Sequence, residues 1–168
     1  LGIKYIQFTA DMLNPSLPDR IIQSNVYRIK KSCELYGLVI NSTFTGAFTR
    51  VNHLAHPDSD IRLYWIDWFK KFVDLSISLG ASSMGSHFGI LTAKDDDDKA
   101  VREKRRQQNI ESWHRVGEYA TKKGLDFISW EPMSISREQG ETIKECRRLQ
   151  NDVNKASPIP FKLCLDVD

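Results

Sequence analysis

The sequence predicts an α/β fold of parallel strands joined by crossover helices, and three observations carry that prediction. Helix-period segments run four times into short β-rich segments. Three of the junctions are glycines, in "YGLVI" (Gly37), "LGASS" (Gly80) and "KGLDF" (Gly124), and these lie 43 and 44 residues apart. Glycine closes helices in the left-handed conformation, and a period of this size holds one strand, one loop and one crossover helix.

Taken in order, a first strand is expected over residues 3–8, with Gly2 placed before it as the other glycines precede theirs. The first helix shows Ile22, Val26, Ile29 and Cys33 on one face, and the second strand spans 38–44. His56-Pro57-Asp58 marks a helix start with proline at or near the first turn. Ile61, Trp65, Trp68, Phe72 and Leu75 form the stripe of that second helix, which leads into a strand over 81–88. The acidic run Asp95 to Asp98 precedes a basic helix, where it complements the macrodipole; its resemblance to a protease tag carries less weight in mid-chain. Ile110, Trp113, Val116 and Ala120 line the third helix, before a strand over 125–130. Ser136 with Gln139 reads as a capping box for the fourth helix, whose stripe is Ile143, Cys146, Leu149 and Val153. A fifth strand is expected over 161–167.

This order requires parallel strands with right-handed crossovers. Two architectures fit it, an open doubly wound sheet and part of an eight-stranded (β/α) barrel. The chain starts and stops on a strand, and a barrel needs roughly 250 residues. Both points favour a single (β/α) barrel domain over residues 1–168, truncated at both ends, with about five parallel strands and four helices.

Composition narrows the function. With a net charge of +2 and a pI near 8.4, no global field selects DNA, a membrane or an acidic substrate. The basic stretch "KAVREKRRQQN" reads as a solvated helix face. Cys33, Cys146 and Cys164 are odd in number and far apart, which suits reduced thiols and a cytoplasmic protein. No apolar run reaches the roughly 20 residues of a membrane span. Glycine-rich phosphate loops, a nucleophile elbow and paired-cysteine metal motifs are all missing from the sequence.

In either architecture ligands bind at the carboxyl ends of the strands. The residues there are polar: Thr9 and Asp11, the loop "AFTRVNHLAHPD", His87 in "GSHFG", Glu131 in "WEPMS", and Asp166 with Asp168 in "LDVD". Glu131 and Asp166 suit a divalent cation, which takes carboxylate oxygens. Without a metal, their repulsion would raise one pKa and make an acid/base pair. Each acid could equally cap the following helix or pair with Arg137. Phe44 and Phe48 could form an apolar wall while Arg50, Asn52 and His53 donate to a polar ligand. His114 reads as a packed or solvent-facing helix residue.

"TRVNHLAHPD", "GSHFGIL" and "SWEPMS" together resemble the xylose-isomerase-like family of TIM barrels, the sugar phosphate isomerases and epimerases that also include endonuclease IV. The resemblance covers nearly the whole chain and is strongest to the D-erythrulose 1-phosphate 3-epimerase branch of erythritol catabolism. It implies a divalent metal ion (Mn, Mg, Co or Zn) on Glu131 and Asp166. The family's next ligand, a His three residues after that Asp, falls beyond Asp168. The resemblance further implies proton abstraction by Glu131 beside a ketone through an enediolate, with His87 on a substrate oxygen and Arg137 on the phosphate. The implied substrate is a small phosphorylated sugar, with neither nucleic acid nor membrane as partner and with room for a homo-oligomer. The alternatives are an endonuclease IV-like phosphodiesterase acting on abasic DNA, against which "QFTADM" lacks a histidine, and a non-catalytic sugar-binding relative.

Overall fold

The computed structural model describes residues 2–166, with the backbone but not the side chain of Phe48. The chain runs β1 (Tyr5–Thr9), α1 (Asp19–Tyr36), β2 (Val39–Phe44), α2 (Ser59–Leu79), β3 (Ser83–His87), α3 (Ala93–Asp97), α4 (Lys99–Lys123), β4 (Phe127–Glu131), α5 (Ile143–Asn154) and β5 (Phe161–Leu163), with 3-10 turns at Ala47–Thr49 and His53–Ala55. All five strands are parallel and lie side by side in sequence order. A doubly wound sheet reverses its strand order at a switch point. The uninterrupted order here is instead that of a barrel wall with its helices on the outside.

Gly37, Gly80 and Gly124 each sit in the left-handed region, at φ 64°, 90° and 90°. The residue after each one donates back to the helix, Leu38 to the Cys33 carbonyl at 2.8 Å, Ala81 to Ser76 at 3.0 Å and Leu125 to Ala120 at 3.1 Å. These bonds complete Schellman caps. They also explain why the strands begin one or two residues later than the apolar runs suggest. The expected fifth strand reaches Leu163 as a strand; Val167 and Asp168 lie outside the described residues.

Two helix starts differ from expectation. α2 begins after Asp58, whose carboxylate accepts from the Asp60 N–H at 2.8 Å, so Pro57 precedes the cap instead of occupying the first turn. α5 is capped by Thr142, which accepts from the Glu145 N–H at 3.2 Å, and Ser136 with Gln139 does not start a helix. The backbone groups of that segment are engaged elsewhere: Glu138 N–H donates to Ile135 and Gln139 N–H to Gly89. The acidic run is divided. Asp95 and Asp96 belong to α3 and pair with Arg105 and Arg102, whereas Asp98 caps α4 by accepting from Ala100 and Val101.

The core lies between the outer face of the sheet and α2 and α4. Phe69 packs on Trp113 with ring centroids 4.7 Å apart, and Phe88 on Trp130 at 5.4 Å. Most of the predicted stripes point inward, but Ile61 and Ile143 remain exposed, and the α1 stripe is only partly buried. Removing the Thr142 hydroxyl in Thr142→Ala should cost about 1 kcal/mol in urea unfolding, and Ser136→Ala should change stability by less than about 0.5 kcal/mol.

Candidate functional site

Side chains alternate across a strand, so the register of the sheet decides which of them face the barrel lumen. His87 and Glu131 are direct partners across the β3–β4 pair, at the carboxyl ends of both strands. Their neighbours Phe88 and Trp130 are buried in the outer layer, which sends the imidazole and the carboxylate inward together. His87 Nδ1 lies 3.6 Å from Glu131 Oε2, beyond hydrogen-bond distance, and is buried without a partner among the described residues. Phe44 meets the His87 ring edge-on at 5.7 Å. Its ring fills the space over Gly85, where a Cβ would come within 2.5 Å of it. Phe44 thus forms the expected apolar wall; the side chain of Phe48 lies outside the described residues.

The electrostatics disfavour charge on both groups. Burial, reinforced by the negative charge of Asp166, pushes the Glu131 carboxyl above the usual range; Arg50 opposes this shift and Glu138 adds to it. Burial lowers the His87 pKa against the opposing pull of Glu138, with Arg50 helping to lower it. The contact is therefore between a neutral imidazole and a carboxyl that ionises reluctantly, and it is not a salt bridge. Asp166 itself is exposed just beyond β5.

A second pair frames the mouth. Arg50, in the loop after β2, donates from Nη2 to Glu138 Oε1 at 3.0 Å, and the Glu138 side chain is 3% exposed. Sequence reasoning named Arg50 as a donor but missed Glu138. The available signal was an acid following Arg137 in a loop that returns to the sheet, where its charge needs a partner.

Three expected contacts lie elsewhere. His53 is 1% exposed, enclosed by Trp65, Phe69 and Trp113 at ring-centroid distances of 6.1, 5.6 and 6.2 Å. It therefore packs behind the sheet and does not face a ligand, because a short turn folds it under α2 and α4. Its Nδ1 accepts from the Leu54 N–H at 2.6 Å, and burial lowers its pKa to about 3. Asn52 donates to the Ile90 carbonyl at 2.8 Å and Arg137 to the Leu91 carbonyl at 3.2 Å. Both fasten the loop after β3, and Arg137 does so from a left-handed backbone at φ 74°. The remaining histidines are engaged elsewhere: His56 Nδ1 accepts from Asp58 N–H, and His114 contacts the Val153 carbonyl. A cavity of about 480 Å³ between α4 and α5, lined by Arg102, Glu103 and Arg148 among others, contains none of the residues at the strand ends.

The fold has clear counterparts. The model of the xylose isomerase-like TIM barrels matches residues 1–168. The chain belongs to that family. It is 41% identical over 169 residues to the D-erythrulose 1-phosphate 3-epimerase of Brucella abortus (strain 2308), covering 100% of this chain and 54% of that protein. A solved Rhodospirillum rubrum protein, provisionally called a xylose isomerase, superposes with a TM-score of 0.92 at 26% identity, over 98% of this chain and 56% of its own. The D-psicose 3-epimerase of Clostridium cellulolyticum H10, solved with D-tagatose, shares the fold with a TM-score of 0.74 at 18% identity, over 98% of this chain and 54% of its own. The chain thus spans about half the length of these family relatives. No helix among the described residues is long and apolar enough to cross a membrane.

Two pH predictions follow from these environments. His53 should stay neutral, with ring resonances that do not titrate between about pH 5 and pH 8 in NMR. Because folding raises the Glu131 pKa, the stability this group contributes is full below the ordinary carboxylate range and is lost as pH rises through its folded value. Metal-free Glu131→Gln should therefore have a higher urea midpoint than the wild type at neutral pH, and the gap should close below the carboxylate range.

Proposed function

We propose that the full-length protein is a metal-dependent 3-epimerase of a small ketose phosphate, with D-erythrulose 1-phosphate the substrate suggested by the 41%-identical relative. The observation that carries the reading is the placement of Glu131 beside His87 and Asp166 at the strand ends, with its pKa moved upward. A general base works best when its pKa lies near the working pH. Glu131 is raised toward that range and sits next to a neutral imidazole that can donate to a substrate oxygen.

In this reading Glu131 removes the proton from the carbon beside the ketone. His87 donates to the oxygen on which enediolate charge develops. Phe44 closes the apolar side and limits water at the reacting carbon. Inversion needs the proton to return on the opposite face, from a second acid that the described residues do not place across from Glu131.

The donor chemistry fits a divalent ion. Glu131 and Asp166 offer hard oxygens close enough for their charges to interact, and the buried Nδ1 of His87 has no other partner. Mn, Mg, Co or Zn would suit this set, although no group of three or more ligating side chains forms among the described residues. When bound, the ion polarises the carbonyl as a Lewis acid. A phosphodiesterase with a metal cluster needs several histidines together, and here His56 and His114 are engaged elsewhere while His53 packs behind the sheet among Trp65, Phe69 and Trp113.

The test uses the full-length protein in deuterated water. Turnover of the tetrulose phosphate should exchange the C3 proton for deuterium, chelation should stop it and added Mn should restore it. Glu131→Gln should reduce exchange by about 10²- to 10⁴-fold. A metal-supplemented wild type that exchanges no proton of any ketose phosphate would defeat the proposal.

A further inference from the structure

We propose that Arg50 selects the phosphorylated substrate by taking the phosphate on the guanidinium donors that Glu138 leaves unused. This inference rests on the epimerase reading and concerns how that site discriminates among substrates.

A guanidinium carries five N–H donors in a planar fork. Among the described residues, Arg50 spends one of them, on Glu138 Oε1 at 3.0 Å. The other donors stay on a side chain that is 34% exposed at the rim. Glu138 is a firm anchor: its side chain is 3% exposed, its N–H donates to Ile135 at 3.1 Å and its backbone bridges Ile90. The pair therefore fixes one edge of the fork and presents the rest to solvent, an arrangement suited to bidentate phosphate recognition.

Nearby arginines point to other partners: Arg137 donates to the Leu91 carbonyl, Arg62 of α2 to the carbonyls of His56 and Pro57, and Arg105 of α4 to Asp95. The mouth also holds Glu131 and Asp166, acids that disfavour a phosphate beside them, whereas Glu138 is paired with Arg50. The phosphoryl end is thus directed to the outer rim at Arg50, which leaves the ketone end beside Glu131 and His87. Arg50 lies near enough to act electrostatically on both of those groups.

The experiment compares kcat/KM of the full-length enzyme for the tetrulose phosphate and for the same tetrulose without phosphate. In Arg50→Gln the loss on the phosphate ester should exceed the loss on the free sugar by about 10- to 100-fold, with Arg50→Lys intermediate. Glu138→Gln, which keeps the guanidinium, should retain the preference for phosphate, and it separates phosphate binding from damage caused by a broken ion pair. Equal losses on the two substrates in Arg50→Gln, or loss of the preference in Glu138→Gln with Arg50 intact, would overturn the assignment. If the wild type turns over neither sugar, the epimerase reading fails and calorimetric titration with the tetrulose phosphate decides the point. Binding that weakens at least 10-fold in Arg50→Gln supports the role of Arg50, and absent or unchanged binding overturns it.

Discussion

The site depends on the period of two along β3 and β4. Phe88 and Trp130 are wholly buried in the layer beneath α4, so the residue before Phe88 and the residue after Trp130 must both face the other way. His87 and Glu131 share a lumen position because their aromatic neighbours share a core position. A slip of one residue in either strand would put a carboxylate or imidazole into that aromatic layer and a large ring into the lumen. The cost of burying an unpaired charge thus works with the gain from burying the rings, and both enforce the geometry of the site.

Helix α4 strengthens this register from behind. The Phe88 carbonyl, at the point where β3 leaves the sheet, accepts from Asn109 Nδ2 at 2.8 Å and from Trp113 Nε1 at 2.9 Å. Trp113 in turn touches Phe69, Phe88 and Phe161, and so joins α2, the end of β3 and β5 through one indole. On the β4 side, Trp130 Nε1 donates to Gln150 of α5 at 2.7 Å, and Gln150 passes its own amide hydrogen to the Phe161 carbonyl at 2.7 Å. The strand ends that carry the polar groups are therefore held by hydrogen bonds from the helix layer, and the lumen-facing side chains are left free for a ligand.

Much of this was legible in the sequence because local chemistry decides it. A glycine at the end of an apolar stripe ends a helix, so Gly37, Gly80 and Gly124 revealed the repeat, and the polar residues at the ends of the expected strands, His87 and Glu131, located the lumen rim. Ser136 and Gln139 misled because a capping box needs free backbone N–H groups, and the turn at Arg137 had already directed those of Glu138 and Gln139 to Ile135 and Gly89. His53 misled for a tertiary reason. In sequence it stands in a polar loop between Asn52 and His56, and its burial comes from rings on α2 and α4 that approach only in the folded chain. The nearby signal was apolar, in Leu54 and Ala55, which are also fully buried.

The Arg50–Glu138 pair was not read in advance, because 88 residues separate its members. Its consequence lies in how it divides the mouth. Loops from β2 and β4 close across the end of β3, between them a cation and an anion neutralise one another, and the other acids there are Glu131 and Asp166. The acids and the unspent donors of Arg50 offer a ligand two different poles. A ligand with an anionic tail and a carbonyl head has one favourable orientation in such a field, which places the carbonyl, and the carbon beside it, next to the carboxylate that burial has made more basic.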